Sequence, residues 1–183
     1  MRGTGRPHYR LLVVALLAAA VLFASPGTAS GETVARRESA EAVLLNKIND
    51  VRAAHHLPAL KASSLLSNAA GRHSANMAWK GYFQHDFKKN GSWYSFGTWI
   101  RWYWPGPGYK AWTAGENLAW GAPGLSPGKA VNMWLNSPGH RANLLGVWSH
   151  VGVGIVHVVS PGGYFNPYSE VTIVTADFGR RSK

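Results

Sequence analysis

No cysteine occurs among the 183 residues, and that absence excludes several chemistries at once. A disulfide scaffold, a thiolate zinc site, an iron–sulfur centre and a cysteine nucleophile are all ruled out. Acids are scarce as well: 8 Asp and Glu stand against 19 Lys and Arg, a formal charge of +11. Charged residues make up only 15% of the chain against 46% hydrophobic, a balance that excludes intrinsic disorder. The apolar run Leu11 to Ala24 falls short of the roughly 20 residues that a membrane-spanning helix needs. Arg2, Arg6 and Arg10 precede that run, and small residues follow it, with Gly27-Thr28-Ala29 forming a small-x-small cleavage pattern. Residues 1–29 are therefore read as an export signal, which leaves the remainder outside the cytoplasm. An uncleaved N-terminal anchor would put the domain on the same side.

About 150 residues remain after that segment, one domain's worth, and enough for a core without disulfide or metal staples. The net charge falls to +8, which favours anionic neighbours such as envelope polymers or lipid headgroups. The basic residues are scattered, with no run longer than the pairs Arg36-Arg37, Lys88-Lys89 and Arg180-Arg181. A dedicated nucleic-acid stripe would cluster them, so no specific nucleic-acid partner is expected.

Residues 30–40 read as a flexible lead-in and 41–180 as the folded domain. A helix is expected from Ser39, with Leu44, Ile48 and Val51 at helical spacing, ending before Leu57-Pro58. A second should run from Ser63 or Ser64 to Lys80, with Leu66, Ala70, His73 and Met77 on one face and Gly81 as terminator. Ser126-Pro127 starts a third, and Ser137-Pro138 repeats that signal for a short helix over His140 to Leu145. Val151 to Val159 and Glu170 to Phe178 read as an antiparallel strand pair. The fold class is α+β. Residues 86–115, crowded with tryptophan and tyrosine and broken by glycine and proline, have no sustained period and read as a long structured loop.

Among the histidines, His55, His56, His150 and His157 fit surface positions, and His73 fits a hydrogen-bonded core position. His85, Glu116 and His140 stand out, because each sits where the backbone is held: behind Tyr82-Phe83, within Gly115-Glu116-Asn117, and after Pro138-Gly139. Two imidazoles and a carboxylate are an acceptable zinc set with one position open to water. No general base accompanies them, and no Gly-x-Ser-x-Gly elbow makes Ser137 a nucleophile. The same three groups also suit a polar knot in which Glu116 accepts hydrogen bonds from the histidines. Both readings remain open at this point.

The strings Ala75-Asn76-Met77-Ala78 through Tyr82-Phe83-Gln84-His85, Gly115-Glu116-Asn117-Leu118-Ala119, Trp134-x-x-Ser137-Pro138-Gly139-His140-Arg141-x-Asn143-Leu144-Leu145, Val151-Gly152-Val153-Gly154 and Asp177-Phe178-Gly179 follow one another in a fixed order. In that order the chain resembles the CAP superfamily of cysteine-rich secretory, antigen 5 and pathogenesis-related proteins, in its cysteine-free bacterial secreted branch. The resemblance implies a three-layer α-β-α sandwich with a central antiparallel sheet and a groove on one face. It also implies that His85, Glu116 and His140 line that groove, where some members bind a divalent metal such as zinc. The fourth ligand of the metal-binding pattern, a glutamate, corresponds to Ser137 here.

The expected role is a secreted, non-catalytic ligand-binding or interaction module at the cell envelope or outside it. Its partner would be an anionic envelope polymer, a lipid or a small ligand. Two alternatives stand beside it, a metal-dependent hydrolase acting on peptide or wall substrates and a lipid or sterol carrier. Trp99, Trp102 and Trp104 are the candidate ligand contacts of the aromatic insertion, whose other expected role is to fold over its own core.

Overall fold

The computed structural model describes residues 26–183, with side chains given for Arg37 and from Ser39 onward. Of the expected export signal, residues 1–25 lie outside the described residues. Helix α1 (Pro26–Ala54) buries Leu44 and Ile48, one turn apart, and closes before Pro58, with Leu57 N–H donating to the Arg52 carbonyl. It also runs through residues 30–40, where a lead-in is expected. Beyond Gly31 that stretch has no glycine or proline, and its Glu, Ala and Arg residues are good helix formers.

A two-residue strand β1 (Lys61–Ala62) leads into α2 (Ser64–Lys80), which Ser63 caps by accepting from Leu66 N–H. Gly81 ends α2 in the left-handed conformation at φ 63°, the region glycine enters without a steric cost. The aromatic segment then forms a hairpin of β2 (Phe87–Lys89) and β3 (Ser92–Tyr94), a single turn of helix α3 (Phe96–Trp99) and a 3-10 turn over Ile100–Trp102. Strand β4 (Ala111–Gly121), α4 (Pro127–Leu135), α5 (Pro138–Leu144), β5 (His150–Val159) and β6 (Glu170–Ser182) complete the chain.

The sheet order is β1-β5-β6-β4. Its three long strands are antiparallel as expected, while β1 adds a short parallel edge, Lys61 opposite His150 and Ala62 opposite Val151. Central β6 is buried from Val171 to Gly179 without interruption, because helices cover both faces, and it includes the polar Thr172, Thr175 and Asp177. One face packs Leu44, Ile48, Trp134 and Leu144 against Val153 and Phe178, and the other packs Met77 of α2 against Leu118 and Ile173. This is the α-β-α sandwich.

Two glycines set how closely α2 approaches the sheet. A Cβ at Gly152 would lie 2.0 Å from Ser67 N, and one at Gly154 would lie 2.3 Å from Gly71 N. The helix backbone lies almost on the strand there, a distance that no side chain permits. Among the described residues no helix is long and apolar enough to cross a membrane.

Strand β4 departs from the sequence expectation. Gly115-Glu116-Asn117 reads as a turn, since those residue types are disfavoured in strands. Pairing with β6 along all of β4, from Ala111 opposite Ser182 to Gly121 opposite Thr172, overrides that local preference.

Candidate functional site

β4 places Glu116 and Leu118 on the α2 side of the sheet and turns Asn117 and Ala119 to the other side. Glu116 is buried at 4% exposure, and each oxygen of its carboxylate has an imidazole partner. His73 Nδ1–H donates to Oε2 at 2.6 Å, and His85 Nδ1–H donates to Oε1 at 2.8 Å. A carboxylate only accepts, so each of these contacts requires a proton on Nδ1. Burial of this charge is tolerable because both oxygens are satisfied.

His73 comes from the middle of α2 and is wholly buried. Its ring packs 4.7 Å from Trp99 and 5.7 Å from Phe87, and its Nε2 lies 3.4 Å from the Asp86 carbonyl. His85 sits in the loop after α2, with half its side chain in solvent. Trp99 Nε1–H donates to the His85 carbonyl at 2.9 Å and pins that loop. The hydrogen bond to Glu116 pushes the His85 pKa above its ordinary value of 6.5, against a smaller opposing effect of burial.

Asp177 faces Glu116 directly across the β4–β6 register. It is fully buried, and neither carboxyl oxygen has a hydrogen-bond partner. Burial first, and then the neighbouring Glu116, push its pKa well above 3.8, which favours the uncharged acid.

His140 approaches from the opposite layer, around the open edge of β4. Asn117 Nδ2–H donates to the His140 carbonyl at 2.9 Å, and Asn143 Nδ2–H donates to both the Glu116 carbonyl and Asn117 Oδ1 at 3.0 Å. The two asparagines thus fasten α5 to the strand that carries Glu116. The half-buried His140 ring has its pKa pushed down by burial and then by the nearby His85. The two imidazoles therefore titrate apart, His85 upward and His140 downward.

These geometries test a resident metal. Both Glu116 oxygens are engaged by imidazoles, and Ser137, at the fourth position, is the residue before α5. Among the described residues no group of three or more His, Cys, Asp or Glu is placed to hold a metal ion. As placed, both Glu116 oxygens are turned to the two imidazoles.

A match to the CAP family model, described as the cysteine-rich secretory protein family, spans residues 45–178. The chain belongs to the CAP family. An uncharacterized Bacillus subtilis protein, YkwD, is 37% identical over 113 residues, which cover 59% of this chain and 39% of that protein. An SCP-domain extracellular protein of Bacillus anthracis superposes with a TM-score of 0.60 at 28% identity, covering 79% of this chain and 41% of that one. An outer surface protein of Borrelia burgdorferi gives a TM-score of 0.60 at 20% identity, over 77% of this chain and 92% of its own. This CAP chain thus spans about two fifths of each Bacillus relative.

Of the residues singled out from the sequence, the CAP fold brings His85 and Glu116 into hydrogen-bond contact and sets His140 beside His85. It adds His73, expected as a hydrogen-bonded core residue and found bonded to the site's carboxylate. Its place on the apolar face of α2 gave no hint of that partner, although its alignment with Ala70 and Met77 put it against the sheet. Asp177 was also missed, since an acid among β-formers signals burial only once β6 is known to be central.

The tryptophan expectation is corrected. Trp99 and Trp104 are wholly buried with Leu66, Ala69, Phe87 and Ile100, and are not presented to a ligand. The rings of the insertion build a third core over α2, on Leu66 and Ala69. Trp102 remains 43% exposed. A cavity of about 1010 Å³ lies elsewhere, lined by Ser67, Arg72, Trp79, Ile155 and His157 among others, and includes none of the Glu116 cluster.

Proposed function

We propose that this CAP domain is an exported, non-catalytic ligand-binding or interaction module of the cell envelope or its surroundings. The observation that carries the reading is Glu116 held between His73 and His85. A carboxylate with both oxygens occupied is spent on holding two elements together and is not poised as a general base. What the groove offers a ligand is the outward side of His85 and the ring of His140, two imidazoles of opposite pKa displacement. Export is supported by the arginine-led apolar segment of the sequence, and by relatives that are extracellular or outer surface proteins.

The test combines elemental analysis of protein purified without chelator or nickel resin with turnover assays on wall fragments and peptides. The module reading expects less than one metal per several chains and no turnover above background. Stoichiometric zinc, with chelator-sensitive turnover lost in His140→Ala, would replace it with the metal-dependent hydrolase. Saturable binding of a fluorescent sterol or fatty acid would select the lipid carrier.

A further inference from the structure

The insertion that closes the third core also carries a basic, acid-free stretch of the domain. From Phe87 to Gly115 there are Lys88, Lys89, Arg101 and Lys110 and no acid. Three of the cations of this face stand on aromatic rings in a connected series. Lys89 Nζ lies 4.7 Å from the Trp102 centroid, and Arg101, its neighbour in the 3-10 turn, lies 5.5 Å from Trp112. Trp112 is the register partner of Arg181, whose guanidinium is sandwiched at 4.3 Å from Trp104 and 4.1 Å from Tyr109. Among the described residues none of these cations pairs with a carboxylate.

We propose that the series Lys89–Trp102, Arg101–Trp112, Arg181–Tyr109 is a docking surface for an anionic polysaccharide. Charge complementarity is the first argument: fixed, unneutralised cations standing side by side call for a partner with repeating negative charge. Stacking on a ring holds each long side chain in one place, which reduces the entropy lost when an anion binds. The second argument selects the polymer. Each exposed ring has a cation over it, and Trp102 is further packed edge-to-face by Phe87 and Tyr94. Rings covered in this way are poorly placed to stack on bases or to enter hydrocarbon. The half-buried Tyr94, Tyr103 and Tyr109 also make no hydrogen bond through their hydroxyls to any described residue, leaving them for the hydroxyl groups of sugars.

The surface adjoins the Glu116 cluster through Phe87, but none of the contacts to His73, His85 or Glu116 comes from Lys89 or Arg101, so substituting these two tests it independently of the function proposed there. The purified protein is titrated with polygalacturonate, neutral dextran, phosphatidylglycerol vesicles and single-stranded DNA at physiological salt. Saturable binding to polygalacturonate is expected, with none to dextran and at least about tenfold weaker binding to vesicles and DNA. Lys89→Gln/Arg101→Gln should weaken polygalacturonate binding about tenfold, whereas Lys47→Gln/Lys129→Gln, with the same loss of charge on α1 and α4, should change it less than about twofold. Unchanged melting temperatures confirm that both variants fold. Equal weakening by the two pairs, or vesicles or DNA binding as tightly as the polysaccharide, would overturn the proposal.

Discussion

Glu116 is the residue on which the account turns, because it joins α2, the loop after it and β4 through one carboxylate. Glu116→Gln keeps the shape but puts an amide donor where one imidazole N–H now donates. Leaving buried groups unsatisfied costs about 1–3 kcal/mol each, so the variant should melt several degrees lower in metal-free buffer by calorimetry. Asp177 makes the opposite prediction. Its folded pKa is raised, so folding favours the protonated acid, and that contribution is lost as pH rises from the unfolded value of 3.8 through the folded one. Asp177→Asn should therefore gain stability relative to the parent as pH rises above 3.8, measured by calorimetry over a pH series. The histidine and glutamate positions of the motif were legible in the sequence. The buried partners His73 and Asp177 were not, because which side chains meet Glu116 depends on pairing between strands some sixty residues apart in sequence, Glu116 opposite Asp177.

At the scale of elements, helix starts and stops were readable because each has a local chemical cause. Ser63 and Ser126 accept from backbone N–H groups, Pro127 and Pro138 open helices, and Gly81 closes one. β4 was not readable, since its strand character comes from β6 and not from its own residues. The glycines of β5 became intelligible only with α2 lying on them. Gly154→Ala should force helix and strand apart and lower stability by about 1–3 kcal/mol or more in urea unfolding, as overpacking does elsewhere. Arg52 shows a second inter-element dependence. Though buried, it meets no acid, and its guanidinium donates to the carbonyls of Pro58, Leu144 and Gly146. It thereby ties the end of α1 to the end of α5, the helix that carries His140. Arg52→Met should orphan the buried Leu144 carbonyl at about 1–3 kcal/mol and loosen α5, seen as faster amide exchange over residues 138–145.

At the scale of the molecule, three layers bring together groups that the chain keeps far apart, and each layer contributes. The α2 layer supplies His73 and, just after it, His85. The sheet supplies Glu116 and Asp177, and the α5 layer brings His140 around the strand edge. The aromatic insertion closes the α2 side with Trp99 on His73 and leaves its cations outward. The most direct test of this convergence is an NMR titration of the histidine rings in the parent and in Glu116→Gln. The account predicts His73 and His85 protonated at Nδ1, His85 titrating above 6.5 and His140 below it, with His85 returning towards 6.5 in the variant. His85 titrating at or below 6.5 in the parent, and unmoved by the substitution, would contradict it.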